Sequence, residues 1–267
     1  MILISGRSEL DNAALVAKKF DTNHHELKAS ANQIIDIFDK LVYQYDDPFS
    51  DAANIPLYLL AKACSADKTV ILQGDGGDEF FGGYRRYNVL DWENFWKIAS
   101  TLAYKIIPSN EWSIRMKRIS NILKQDDAMK MALYITEDVP YESPYEILNS
   151  DYKNLISSED PFKAYKKFNQ DYKDFDIVQR MMFADVQILL NHTYLEKVDK
   201  ATMLCSMEAR VPFLDNELTD FMLNLPSSYK IKRGQKKYLL RKALRGLIPD
   251  QILDGKKEDL MCHIKYG

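Results

Sequence analysis

The strongest constraint on what this chain can fold into is a short apolar run that ends in a glycine-acid loop. Thr69-Val70-Ile71-Leu72-Gln73 is brief, β-branched and apolar, the pattern of a strand covered on both faces in a parallel sheet. Gly74-Asp75-Gly76-Gly77-Asp78-Glu79 comes immediately after it. In a doubly wound sheet, ligands sit beyond the carboxyl ends of the strands, which is where this loop begins. Glycines permit positive φ and close backbone approach, so their N–H groups can point at phosphate oxygens. Three carboxylates in six residues would repel a bare phosphate. A hard divalent cation resolves the conflict, because Mg²⁺ joins one or two carboxylates to substrate phosphates. A solvated turn built from ordinary turn formers is the other reading of the same residues. The ligand spacing of an EF-hand, with its terminal glutamate, is absent.

Around this loop, strand and helix patterns alternate. Ile2 to Ile4 reads as a strand ending in Ser5-Gly6. The segments Asn12 to Phe20 and Ala31 to Tyr45 carry apolar residues at helical spacing, the second through Ile34, Ile35, Phe38, Leu41 and Val42. Pro56 falls in the first turn of a helix running to Cys64, where its missing N–H costs little. The alternation predicts an α/β fold with a doubly wound parallel sheet over residues 1–90. From Trp92 onward long helical patterns dominate and no strand is expected, so 91–267 reads as a mainly helical region.

With 46% hydrophobic residues in 267, the chain can bury a sizeable core. Its 36 lysines and arginines nearly balance 39 aspartates and glutamates, and a net charge of −3 points to neither nucleic acid nor a membrane surface as partner. Cys64, Cys205 and Cys262 form no CxxC pair, which argues against a disulfide framework or zinc site and for a reducing, cytoplasmic setting. No run of about 18 apolar residues occurs. His24 and His25 are adjacent and lack the i, i+4 spacing that would place both on one metal, so they read as a turn. Phe80, Phe81, Tyr84 and Tyr87 read first as core.

The stretch QGDGGDEFFGGYRRY resembles the loop of asparagine synthetases, whose consensus is roughly SGDGGDELFGGYxRY. Four further blocks agree in order: Thr22 to Glu26, DDPFSDAANIPLYLLAKA from Asp46, Lys197 to Met203 leading into Glu208 to Asp215, and Lys237 to Arg241 with Ile248-Pro249 after it. The resemblance implies the synthetase domain of that family, a fold of the ATP-pyrophosphatase, adenine nucleotide alpha hydrolase-like type. The implied reaction is a two-step ligation. ATP adenylates the aspartate β-carboxylate with release of pyrophosphate, and ammonia, normally derived from glutamine, displaces AMP to give asparagine.

By position, Asp75 and Asp78 would hold Mg²⁺ through pyrophosphate. Gly74, Gly76, Gly77 and Ile4 would lie against ATP, and Lys237 would stabilise charge on the phosphates. Glu79, Tyr84, Asp199, Glu208 and Arg210 are further site candidates. Read from the residues alone, Lys237 is better taken as a solvated lysine in a basic run, whereas Asp199, Glu208, Arg210 and Asp215 are either site-forming or a buried ion-pair network, the structural reading being preferred for Asp215.

The chain departs from the family in one important place. The pyrophosphate loop SGGxDS is not found, and Ser5-Gly6-Arg7-Ser8-Glu9-Leu10-Asp11-Asn12 is the nearest string. Glu9 to Glu26 instead matches the helix and histidine motif that lie after the family's second strand, and similarity is lost after Lys257. The expectation is therefore a fragment truncated at both ends, without a glutaminase domain, completed by a separate glutaminase or an N-terminal segment, and homodimeric. Relatives of the same chemistry act on sugar acids, peptides or β-lactam precursors, and an inactive binding remnant is a third expectation.

Overall fold

The computed structural model describes residues 9–27, 31–49, 51, 53–107, 110–135, 149–156 and 160–255. The expected strand Ile2 to Ile4 lies outside them. Helices α1 (Glu9–Lys19), α2 (Ala31–Tyr45) and α3 (Asn54–Cys64) precede strand β1 (Val70–Leu72). Helices α4 (Gly77–Phe81), α5 (Arg85–Asp91), α6 (Glu93–Ile106), α7 (Glu111–Ile122) and α8 (Asp127–Ile135) come after it. Next are α9 (Ser150–Ile156), α10 (Lys163–Asp171) and α11 (Ile177–Ala184), which runs into a π-helix over Asp185–Leu195. The chain continues through α12 (Glu196–Met203), β2 (Glu208–Arg210), α13 (Asn216–Asn224), α14 (Ser227–Lys230), α15 (Tyr238–Ala243) and α16 (Asp250–Asp254). Among the described residues no helix is long and apolar enough to cross a membrane.

The fold is mostly helical with a small parallel sheet. Two compact units share the chain. One takes the described residues up to Asp75, Asn191–Asp215 and those from Tyr238; the other takes Gly76–Leu190 and Asn216–Lys237. In the first unit β1 pairs parallel with β2 in the register Val70↔Glu208, Ile71↔Ala209 and Leu72↔Arg210. The ladder continues one step at each end, through Glu208 N–H to the Thr69 carbonyl and Gln73 N–H to the Arg210 carbonyl, each at 2.8 Å. Strand β2 corrects the expectation of no strand after Trp92: only three residues long, with both end residues charged, it gives no apolar run to find. Expected cover on both faces of β1 is not met either, since Leu72 is 73% exposed.

Helix α2 turns Ile37, Leu41 and Tyr45 inward at i, i+4 and i+8 against Tyr58 and Leu59 of α3 and Ala201 of α12. Of its other apolar residues Ile34 is half-buried, while Ile35, Phe38, Val42 and Tyr43 are exposed. Two hydrogen bonds tie α2 to α12: Tyr45 Oη donates to the Lys197 carbonyl at 2.8 Å, and Lys200 Nζ donates to the Tyr45 carbonyl at 2.7 Å.

The second unit closes around Tyr87, Leu90, Leu123, Met131, Ala132, Met181, Met182 and Ala184. Flexible methionine side chains fill the gaps between helices here. Phe80, Phe81 and Tyr87 are buried, in keeping with the core reading of the aromatics after the acidic loop.

Candidate functional site

Gly76 has φ +84°, in the left-handed region that a side chain disfavours, and this conformation turns the chain directly into α4. The short helix then presents Asp78 and Glu79 in its first turn. Asp78 Oδ1 lies 2.9 Å from Lys237 Nζ, with both side chains partly exposed. This pair sits on bare backbone. A Cβ added to Gly83 would stand 1.6 Å from Asp78 Oδ1 and 2.6 Å from Lys237 Cε, so residue 83 can only be glycine while the pair keeps its place. Lys237 has φ +53°, a left-handed backbone unusual for a lysine. Such local strain persists where the surrounding structure holds it, and it collects at ligand sites.

Glu79 faces inward and is buried. Burial raises its pKa, an effect opposed by the hydrogen bond that Tyr84 Oη donates to Glu79 Oε1. The Arg86 guanidinium stacks on the Tyr84 ring with its carbon 4.0 Å from the centroid. Arg86 Nε donates to Asp185 Oδ2 at 3.0 Å, its Nη2 lies 2.9 Å from Oδ1, and Tyr87 Oη donates to Oδ2 at 2.6 Å. Asp185 is fully buried. Burial pushes its carboxyl up, and the Arg86 charge and the Tyr87 hydroxyl pull it back. A chain of contacts thus runs from Glu79 through Tyr84 and Arg86 to Asp185, at the first residue of the π-helix. Sequence reasoning did not single out Arg86 or Asp185. The available signal was an aspartate set in the apolar stretch MMFADVQILL.

Within the first unit, Asp75 comes after the carboxyl end of β1, beyond Gln73 and Gly74. Burial raises its pKa and the charge of Lys197 lowers it. Lys197 Nζ is also 2.6 Å from Asp51 Oδ2 and stands over the Tyr194 ring at 4.9 Å. A Cβ on Gly74 would meet nothing within 4 Å, so the space beside that residue is open. Lys197, the cation nearest in effect to Asp75, was likewise missed as a site residue. It stood in a resembling block but had no spacing that linked it to the loop.

The remaining candidates are dispersed. Glu208 and Arg210 pair with each other at 2.8 Å on β2, both well exposed, so the buried-network reading does not hold for them. Asp199 on α12 and Asp215 after the turn Pro212–Leu214 are not buried either. His24 lies 3.8 Å from Glu26. Ile4 lies outside the described residues.

Among the described residues no group of three or more histidine, cysteine, aspartate or glutamate side chains is placed to hold a metal. The donor set of the loop suits a different kind of site. A single loop carboxylate such as Asp78 fits a Mg²⁺ that takes its other ligands from phosphate oxygens and water. The Lys237 ammonium on Asp78 fits the neighbouring phosphate charge.

Known proteins give this geometry a family. The asparagine synthase family model matches residues 2–266. The chain is 33% identical over 263 residues to asparagine synthetase [glutamine-hydrolyzing] 1 of Bacillus subtilis, covering 98% of this chain and 41% of that protein. It is 28% identical over 269 residues to a putative asparagine synthetase [glutamine-hydrolyzing] of Mycobacterium tuberculosis, covering 98% of this chain and 40% of the relative. A fungal protein, amidase chry2 of Gibberella zeae, is 23% identical over 296 residues, covering 98% of this chain and 42% of that protein. The chain spans about 40% of the length of the synthetases it matches. With the family model spanning nearly all of its residues and the glycine-acid loop in place, the chain belongs to the asparagine synthase family.

Proposed function

We propose that this chain carries the ATP-handling loop of an enzyme that amidates aspartate to asparagine, through adenylation of the β-carboxylate and attack by ammonia. The single observation behind this reading is the Asp78–Lys237 ion pair seated on Gly83, in a loop whose other carboxylate, Asp75, comes after a parallel strand. In this reading β1 and β2 belong to a doubly wound sheet, with 1–90 as the nucleotide-binding part and 91–267 as the helical part of one synthetase domain.

When bound, Mg²⁺ would neutralise the β- and γ-phosphate oxygens and help pyrophosphate to leave. Asp75 and Asp78, three positions apart on one loop, would hold that ion. Lys237, whose ammonium pairs with Asp78, would supply its positive charge to the phosphates, where negative charge grows as the α-phosphorus is attacked. Its stem is already positioned by the left-handed backbone and the contact with Gly83. Gly74, open on its side-chain face, would let the nucleotide approach the main chain. Buried Glu79, hydrogen-bonded by Tyr84, would brace α4 and so the direction of Asp78.

The test is product analysis with ATP, Mg²⁺, ammonia and a panel of carboxylates, on this chain and on a fusion that supplies an SGGxDS loop ahead of Met1. Aspartate-dependent formation of AMP, pyrophosphate and asparagine by the fusion is the expected result. Turnover of a sugar acid, peptide or β-lactam precursor in place of aspartate would move the assignment to a related amidotransferase or cyclase. AMP formation with no carboxylate in either protein would overturn the proposal.

A further inference from the structure

Lys237 ends a segment, Ile231 to Lys237, that is laid against residues 82–88 at three points. At its root Ile231 is buried, and a Cβ added to Gly82 would stand 2.9 Å from Ile231 Cγ1. At its exit Lys237 Cε crosses Gly83 as closely, 2.6 Å from the position of a Cβ there. Between these points the chain reverses. Lys232 N–H donates to the Gln235 carbonyl at 3.1 Å, and Gln235 N–H to the Lys232 carbonyl at 2.9 Å. Arg233 and Gly234 between them are both left-handed, at φ +51° and +78°. That is a type I′ turn, which takes positive φ at both central residues and favours Asn, Asp and Gly for that reason. An arginine at the first of them is disfavoured, and Lys237 is a second side-chain-bearing residue in the same region of φ. Residues 232–235 are exposed, so packing around the turn does not hold it. A contact from elsewhere in the fold must impose this backbone.

The third point supplies that contact. Asn88 Nδ2 on α5 donates to the Gly234 carbonyl at 2.8 Å, across 146 positions. A Cβ on Gly234 would meet nothing within 4 Å, so the turn is gripped through its carbonyl and not through its side-chain face. Asn88 Oδ1 is buried without a hydrogen-bond partner among the described residues, so its donor alone fixes the direction of the amide. Helix α5 is itself firmly placed here. Tyr87, the residue before, is fully buried and donates to Asp185 Oδ2 at 2.6 Å.

We infer, on the reading of Lys237 as the charge that meets the phosphates, that Asn88 is its positioning residue. By holding the tip of the turn from α5, Asn88 fixes the left-handed backbone that brings the Lys237 ammonium to Asp78. Such aim matters, because a misplacement of 1 Å at a reacting centre costs up to about a hundredfold. The competing role is plain filling of space, and chemistry separates the two. Aspartate has the shape of asparagine but no N–H to give.

Two readouts on the full chain test this. One is affinity for Mg²⁺-pyrophosphate by calorimetry; the other is the Lys237 Cε resonance in ¹³C-lysine-labelled protein, assigned by its loss in Lys237→Met. Asn88→Ala and Asn88→Asp should each weaken binding about fivefold or more. Both should also move the Lys237 resonance in the direction that Asp78→Asn moves it, with circular dichroism and the lysine resonances outside residues 230–242 unchanged. Should Asn88→Ala fail to fold, Asn88→Asp, which keeps the volume, carries both readouts. Parental binding with an unmoved Lys237 resonance would overturn the inference, and so would an Asn88→Asp chain that matches the parent while Asn88→Ala does not. If the parent itself does not bind pyrophosphate, the reading of the loop falls, and the resonance alone decides the role of Asn88: displaced in both variants, it upholds that role, and unmoved, it overturns it.

Discussion

Lys230, the last residue of α14, buries its ammonium with 1% of the residue exposed and no hydrogen-bond partner for Nζ among the described residues. The nearest compensating charge is Asp176. Its oxygens are already engaged, one capping α11 through Gln179 N–H and the other accepting from Ser227 Oγ, each at 2.8 Å. Burial therefore dominates and lowers the Lys230 pKa from 10.5 to about 8. At 1.36 kcal/mol for each pH unit between those values, keeping the charge costs the folded state about 3 kcal/mol below pH 8.

Because the folded value lies below the unfolded one, the unfolded chain binds more protons between about 8 and 10.5, and stability rises with pH across that window. Lys230→Met keeps an unbranched apolar stem and removes the charge. The expected gain is roughly 1–3 kcal/mol at pH 7, falling below about 1 kcal/mol at pH 10. Urea unfolding of both proteins at the two pH values measures this, and the difference between them cancels every other group that titrates. A variant less stable than the parent at pH 7, or a difference independent of pH, would refute the reasoning.

Other positions give sharper contrasts. Asp185→Asn leaves Arg86 buried without its counter-charge and should cost about 3–5 kcal/mol in urea unfolding, whereas replacing Arg86 and Asp185 together by apolar residues should recover much of that loss. Asp78→Asn removes a partly exposed ion pair, so unfolding should shift by less than about 1 kcal/mol. Gly83→Ala must displace either Asp78 or Lys237, given the 1.6 Å approach; circular dichroism should hold while affinity for Mg²⁺-pyrophosphate falls at least tenfold. A variant that folds and binds as the parent does would show that the cradle does not set the loop.

What the sequence made legible was what repeats locally or sits in a loop with demanding backbone. Helix α2 is bounded by the residues its periodicity marks, and α3 holds Pro56 in its first turn. The glycine-acid loop was found because its glycines and acids conflict unless a cation is present. Periodicity alone misjudged which face of α2 is covered, since Ile35, Phe38 and Val42 carry the same spacing as Ile37 and Leu41. Strand β2 escaped notice because Glu208 and Arg210 look like a helix end or a turn, and only pairing with β1 makes them a strand. The Arg86–Asp185 pair spans 99 positions, and no local pattern announces a contact of that length. The unusual Lys237 backbone was equally hidden: its lysine-rich surroundings read as solvated until the Gly83 contact set it apart.

Titration calorimetry of this chain with Mg²⁺-pyrophosphate tests the central claim most directly. Saturable binding with one site and a Kd below about 1 mM is predicted, lost without Mg²⁺ and weakened at least tenfold by Asp78→Asn or Lys237→Met, both of which should leave unfolding nearly unchanged. Binding equal in parent and variants, or no binding at all to a folded chain, would contradict the assignment of Gly74 to Glu79 as the pyrophosphate loop.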